Sequence, residues 1–459
     1  MDKNYKSIYF VGAGGIGMAA LERYFLSRGF RVAGYDRTRT ELTDCLASEG
    51  VEICFDEAAA LIPDYCKNPD DTLVVYTPAI PDSHEGLNYF RNGGFTVMKR
   101  AQLLGLITRS SKGLCFSGTH GKTTTSSMAA HILHTSAIGC NAFLGGILRN
   151  YNSNFLLSAT SPYSVIEADE FDRSFHHLSP YIAVITATDP DHLDIYGTEE
   201  AYLESFAHFT ELIQPGGTLL LHTGLKVKPR VAEGVRTFTY SRNEGDYHAA
   251  NIRKGNGDIV FDFVTPDGVV PDVKLGVPVD INVENAVAAM AVCHMVGVPG
   301  DVLREAIGSF LGAKRRFEFW LKEPGENGKV VIDDYAHHPD ELKASITSVK
   351  GLYPHRKLTV IFQPHLYTRT RDFAPEFAEA LSLADEVILL NIYPARELPI
   401  PGVTSEIILR DIKCANKVLC DKTDLINQIK NRNFEVLLTA GAGDVCNYLP
   451  QIVDEVRSK

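Results

Sequence analysis

An apolar run from Gly113 to Ser117 leads into Gly118-Thr119-His120-Gly121-Lys122-Thr123-Thr124. Glycines at 118 and 121 let the backbone turn tightly and present N–H groups to phosphate oxygens, Lys122 adds a point charge, and Thr123 offers a hydroxyl to magnesium. These residue types, between an apolar strand and a helix start, form a phosphate loop for a nucleoside triphosphate. The spacing departs from the common GxxxxGK[ST], because Phe116 stands where the first glycine would fall.

Further chemistry clusters at the ends of apolar runs. The segment Tyr163 to Glu170 closes on Glu167, Asp169 and Glu170, where a strand-end carboxylate can hold the magnesium that bridges nucleotide phosphates. Glu167 is preferred as metal ligand, with Asp169 second on the same strand face. After the run Tyr181 to Thr186 comes Asp189-Pro-Asp-His192-Leu-Asp194. Either His192 completes the coordination with an aspartate orienting its ring, or it hydrogen-bonds within its own acidic loop. Asn282 and Asn285 open a helix, as N-caps or as an amide for an adenine edge. Arg315 and Arg316 follow, then Asp333-Asp334-Tyr335-Ala-His337-His338, and Gln363-Pro-His365 with Tyr367, Arg369 and Arg371. A guanidinium such as Arg369 clamps a carboxylate bidentately, and Asp334 suits a ribose.

The chain opens with Lys6–Val11, then Gly12-Ala-Gly14-Gly15-Ile-Gly17, a helix-like stretch, and a second strand ending at Asp36. This outlines a first Rossmann β-α-β unit, with a pyrophosphate at the helix N-terminus and Asp36 near a ribose. Any diphosphate-ribose ligand fits it, a nicotinamide cofactor or a UDP-sugar alike. Thr77 lies just past another strand, as a ligand contact or a turn; the Lys99-Arg100 pair either meets a diphosphate or is simply solvated.

The elements that must position these groups alternate strand and helix along most of the chain. They predict an α/β fold of three domains: a Rossmann-like domain over 1–108, a central phosphate-loop ATPase-type domain over 109–313, and a Rossmann-like C-terminal domain over 314–459. Gly145-Gly146 reads as a turn, and about 225–280 as an antiparallel insertion. The net charge of −12 argues against nucleic acid as the main partner. No apolar run is long enough to span a membrane and no leader is apparent, which predicts a soluble cytoplasmic protein. The nine cysteines form no CxxC pair, which suits reduced thiols.

In chain order, SGTHGKTTT, EADE, DHLD, NVEN, RRFE, DDYAHHP and QPHLYTRTRD resemble the motifs of the muramyl ligases of peptidoglycan synthesis, over nearly the whole length. The opening GAGGIGM, His120 and DDYAHHP are similar to the branch that attaches alanine. The resemblance implies ATP, UDP-N-acetylmuramate and L-alanine as substrates, a Mg2+ cofactor, an acyl-phosphate route, and a monomer or weak homodimer whose C-terminal domain closes over ATP and amino acid. It implies that Gly118 to Thr124 with Asn285, Arg316 and Asp334 bind ATP. Thr123, Glu167 and His192 would hold the metal, and Gly12, Gly14, Gly15, Gly17, Asp36 and Thr77 the UDP-sugar. Tyr335, His337 and Arg369 would bind the amino acid, while Lys122, His192, Arg316, His337, His365 and Arg369 serve catalysis. Leu366 stands where that family often has arginine, and Ala187 where asparagine is common. A ligase that recycles a murein peptide is the neighbouring reading. A dehydrogenase would leave the phosphate loop without work, and a nucleotide switch would leave the His and Arg cluster without work.

Overall fold

The structure is a computed structural model that describes residues 5–190, 193–255, 257–325, 327–395 and 397–458, with 193 and 194 described by backbone only. His192, assigned to a metal from sequence, and Asp191, a candidate to orient its ring, lie outside these residues. The chain forms two compact units, one of Met1–Ala250, Asp262–Pro271 and Glu284–Ile307, the other of Asn251–Phe261, Asp272–Val283 and Gly308–Lys459.

The first unit carries two sheets. In the N-terminal one, β1 (Ser7–Val11), β2 (Arg31–Tyr35), β3 (Glu52–Cys54), β4 (Thr72–Tyr76) and β5 (Thr96–Lys99) pair in parallel in the order 3-2-1-4-5. Every residue of β1 is buried. Such a continuous apolar run suits a parallel sheet covered on both faces. Because all these pairs are parallel, the strand C-termini, where the glycine loop begins, fall at one edge.

The second sheet contains β6 (Lys112–Ser117), β7 (Asn141–Leu148), β8 (Ser153–Leu156), β9 (Tyr163–Glu167), β10 (Ile182–Ile185), β11 (Thr218–His222) and β12 (Arg236–Tyr240), in the order 12-11-10-6-9-7-8. All pairs are parallel except β7 with β8. One apolar core runs through both sheets, from Phe10 and Phe25 to Phe143, Ile166 and Phe206, and buried Asn154 donates to the Ile16 carbonyl at 2.5 Å. The sheets therefore share an interior.

Two sequence expectations need correction. Gly145-Gly146 lies within β7, not in a turn, and its reason is a carboxylate: a Cβ on Gly145 would stand 2.6 Å from Glu167 Oε2. Within 225–280, the strand at 236–240 is β12, a parallel member of the central sheet. The small sheet expected there is confined to β13 (His248–Gly255), β14 (Asp258–Thr265) and β15 (Gly268–Lys274).

In the second unit β16 (Glu318–Lys322), β17 (Val330–Asp334), β18 (Leu358–Phe362), β19 (Glu386–Leu390), β20 (Asn416–Cys420) and β21 (Val436–Ala440) take the order 16-17-21-18-19-20. Edge strand β16 is antiparallel to β17 and the rest are parallel. The C-terminal ends of β17, β18 and β21 thus fall side by side.

Candidate active site

The phosphate loop begins where β6 ends. Gly118 has φ +132°, and a Cβ there would lie 2.2 Å from Thr186 Oγ1 and 2.7 Å from the Ala187 nitrogen, so only glycine fits. Gly121, φ +82°, precedes the helix Lys122–Thr135, whose first N–H groups lack partners within the helix and favour an anion. The loop is braced behind. The Thr119 N–H donates to the Ala187 carbonyl at 3.0 Å, and its hydroxyl meets the Asp189 carbonyl and the Tyr202 hydroxyl at 2.8 and 2.9 Å. Thr119 thus shapes the loop with both its polar groups engaged in the protein. His120 is exposed, and Thr124 is partly buried in the helix's first turn. Asn285 Oδ1 accepts from Thr125 Oγ1 at 3.2 Å and stands against Gly121, behind the loop.

Lys122 Nζ donates to Glu170 Oε1 at 2.8 Å and to the Gly118 carbonyl at 2.6 Å. Glu170 is buried and its Oε2 has no hydrogen-bond partner. Burial pushes its carboxyl up and the Lys122 charge opposes this. Beside it, Thr123 Oγ1 donates to Glu167 Oε1 at 3.0 Å, and the Gly145 N–H to Glu167 Oε2 at 3.1 Å. Burial also raises Glu167, against the Thr123 hydrogen bond and the Lys122 charge. A hydroxyl next to a carboxylate is an all-oxygen donor pair. It fits magnesium, which takes few protein oxygens and keeps other positions for water and phosphate. Among the described residues no three His, Cys, Asp or Glu side chains converge on a metal position.

The glycine loop of the N-terminal sheet opens into the same region. A cavity of about 340 Å³ is lined by Gly15, Gly17, Thr77 and Arg100 on one side and by Gly145, Glu167 and Asp169 on the other. Gly12, φ +97°, has the Thr77 methyl where a Cβ would project, and Gly17 has Arg100 Nη1 within 2.5 Å of that position. Arg100 makes no hydrogen bond or ion pair among the described residues, whereas Lys99 pairs with Asp172 at 3.2 Å. Asp36 takes the Gly14 N–H at 2.6 Å and the Thr38 N–H at 3.0 Å, so its carboxylate already braces the glycine loop.

At the strand ends of the second unit, Asp334 accepts from the Ser345 hydroxyl and the Phe317 N–H. Burial pushes its carboxyl up to about 6. His337 Nδ1 donates to the Tyr335 carbonyl at 2.9 Å, which leaves Nε2 as the basic nitrogen. Burial lowers its pKa, against the pull of the Glu341 carboxylate 3.2 Å from Nδ1. The His365 ring lies 6.2 Å from the His337 ring and stacks on Tyr393. Buried His365 Nδ1 and Arg369 Nη1 both lack partners, as expected of groups awaiting a polar ligand. Exposed Arg316 lies over the Tyr335 ring, while Arg315 bonds Asp333 and the Gly441 and Gly443 carbonyls.

The structure therefore brings together Lys122, Thr123 and Glu167 in one group, and Tyr335, His337, His365 and Arg369 in another. Sequence reasoning names Glu170 only as one of three strand-end carboxylates, Arg315 only within a basic pair, and Arg100 as a contact for a diphosphate or a solvated residue. For Arg315 the signal lay in the conformation: φ is +60°, a backbone state that a non-glycine residue keeps only when its surroundings hold it.

A phosphate loop on a mostly parallel sheet, a metal-competent carboxylate at the next strand end and a glycine-loop cavity opening onto it define a nucleotide-using α/β enzyme. Three family models match in sequence: "Mur ligase family, catalytic domain" over 7–112, "Mur ligase middle domain" over 116–293, and "Mur ligase, glutamate ligase domain" over 315–445. The chain is 58% identical to a UDP-N-acetylmuramate–L-alanine ligase of Phocaeicola vulgatus, with 100% of each covered. It is 59% identical to the protein of that name in Parabacteroides distasonis, over 99% of this chain and 97% of the relative. A crystal structure of the UDP-N-acetylmuramate–alanine ligase of Thermotoga maritima superposes with a TM-score of 0.79 at 28% identity, covering 98% of this chain and 99% of that one. The chain belongs to the Mur ligase family.

Proposed function

We propose that this protein joins L-alanine to the carboxylate of UDP-N-acetylmuramate, converting ATP to ADP and phosphate through an acyl phosphate. The single observation that carries the reading is the cavity shared by the glycine loop and Glu167. It is suited to place the acyl end of a nucleotide-sugar beside the phosphate loop. The full-length likeness to alanine-adding ligases supports this substrate over a peptide.

A carboxylate resists attack by an amine at neutral pH, so it is first phosphorylated. Lys122 leaves Glu170 for the β and γ phosphates, and the N-terminus of its helix receives their negative charge. Thr123 and Glu167, with His192, would hold Mg2+, which when bound neutralises charge on the transferring phosphoryl group. Arg100 steadies the anionic sugar substrate at Gly17. Arg316 and Asp334 serve the nucleotide, and Arg369 clamps the alanine carboxylate. His337 Nε2 takes the amine proton, because its Nδ1 is already fixed on the Tyr335 carbonyl. The amine then attacks the acyl carbon and phosphate leaves.

The test is phosphate release by the purified protein with ATP, magnesium, UDP-N-acetylmuramate and L-alanine. Release that does not depend on both the sugar and the amino acid ends the proposal. Release with a murein tripeptide in place of alanine would favour the recycling reading. No helix among the described residues is long and apolar enough to cross a membrane, and we assign the activity to the cytoplasm.

A further inference from the structure

Every nitrogen of the Arg315 guanidinium is engaged within the second unit. Nε donates to Asp333 Oδ2 at 3.3 Å, Nη1 to the Gly443 carbonyl at 3.2 Å, and Nη2 to the Gly441 carbonyl. Asp333 is fully buried, and its other oxygen accepts the Thr439 hydroxyl at 2.6 Å. One side chain thus ties the turn before β16 to the ends of two neighbouring parallel strands, β17 and β21.

The backbone of that turn is held as closely. The Arg315 N–H donates to Glu318 Oε2, and the Tyr335 N–H to the Arg315 carbonyl, both at 2.8 Å. Arg315 has φ +60° and Phe317 φ +48°, so two left-handed residues flank Arg316. Side-chain-bearing residues stay in that region only where the surroundings hold them. The turn sets three groups of the candidate site at once. Arg316 leaves its middle and lies 5.7 Å over the Tyr335 ring. The Phe317 N–H meets the Asp334 carboxylate at 3.2 Å. The Arg315 guanidinium itself stands 4.9 Å over the Tyr335 ring, whose backbone it also anchors.

A buried ion pair does little for stability that apolar side chains of similar volume would not do. A planar fork on three acceptors does something they cannot, because it fixes the direction of each bond. We infer that Arg315 is a positioning residue: it sets Arg316 and Asp334 for the nucleotide and Tyr335 for the amino acid, and its own donors touch neither. The identity of those two substrates rests on the proposed function.

The test is steady-state kinetics of Arg315→Lys and Arg315→Met, run well below the melting temperature of each. Lysine keeps a charge beside Asp333 but lacks the fork for the two glycine carbonyls, and methionine keeps only the stem. In Arg315→Met the KM for ATP and the KM for L-alanine should both rise. The matching kcat/KM values should fall on the order of 10- to 100-fold, as misplacement by about 1 Å does. Arg315→Lys should show the same pattern with a smaller loss. The KM for UDP-N-acetylmuramate should not move, since its candidate groups lie in the first unit. A lower melting temperature with every KM unchanged would make Arg315 a structural strut and overturn the inference. A change confined to one substrate would make it a direct contact, with the same result. Should Arg315→Met fail to fold, Arg315→Lys with unchanged KM values overturns it alone. Should the parent itself show no turnover dependent on sugar and alanine, the proposed function falls separately. MgATP affinity measured by calorimetry then decides for Arg315: weaker binding in Arg315→Lys supports positioning, and equal binding ends it.

Discussion

Lys122 Nζ lies 2.8 Å from Glu170 Oε1, an ion pair whose carboxylate side chain is 2% exposed and whose lysine is 14% exposed. In this arrangement the lysine of the phosphate loop is held by the protein. A nucleotide must therefore compete for it. The pair keeps a buried ammonium neutralised while no phosphate is present, since a charge left alone in such a place is costly.

Glu170→Gln should separate these two effects. Breaking a buried ion pair costs up to about 3–5 kcal/mol, less where a hydrogen bond survives, so the variant should melt below the parent without nucleotide. With saturating MgATP the phosphates take over the lysine and the gap should narrow. Thermal melts with and without MgATP decide it: a gap of the same size in both would show that Glu170 does not compete with nucleotide.

The two loop glycines should not respond alike. An alanine at Gly118 meets backbone at Ala187 and the Thr186 hydroxyl, whereas one at Gly121 meets only the Asn285 side chain at 2.8 Å. Gly121→Ala should cost about 1–2 kcal/mol for its left-handed backbone, while Gly118→Ala adds overlap with a rigid strand end and should cost more. Urea unfolding of both variants, with equal losses, would contradict this ranking.

Asp334 carries a pH prediction. Its carboxyl is pushed up to about 6 from an ordinary 3.8, mainly by burial. Between these values the folded chain keeps a proton that the unfolded chain has lost. Stability from this group therefore falls as pH rises through that window, and the loss is complete above it. Asp334→Asn cannot ionise, so relative to this variant the parent should lose stability between pH 4 and pH 6. Chemical denaturation at several pH values gives the difference. A constant gap across the window would mean that Asp334 is not the raised carboxyl.

What could be read from the chain alone follows the range of the interactions. Lys122, Thr123 and Glu167 were legible because loop spacing and the ends of apolar runs are local signals. Glu170 was passed over because strand alternation stops at Glu167, and the chain then enters a kink with Asp172 and Arg173 at positive φ. A pair of glycines reads locally as a turn, yet Gly145 is glycine because Glu167 occupies the space of its side chain. Strands β16 and β20 escaped notice because edge strands carry mixed, partly exposed residues instead of the apolar runs that marked β17, β18 and β21. Asp36 is expected at a ribose from its distance along the chain; that its carboxylate also accepts the Gly14 and Thr38 N–H groups is a contact no local pattern announces.

Arg369 offers a prediction in which stability and function part company. Its Nη1 is buried without a partner, as is His365 Nδ1 nearby in sequence, so the ligand-free protein bears a desolvation cost that no internal bond offsets. Arg369→Met keeps a long apolar stem and removes the orphaned donor. The variant should melt at or above the temperature of the parent. If the guanidinium clamps a substrate carboxylate, losing a charge-assisted bond of about 1.5–3 kcal/mol should raise the KM for L-alanine roughly 10- to 150-fold. A guanidinium that merely supported the fold would give the reverse pattern, a lower melting temperature with KM unchanged. Steady-state kinetics over a range of alanine concentrations, beside a melting curve of the same preparation, tells the two apart.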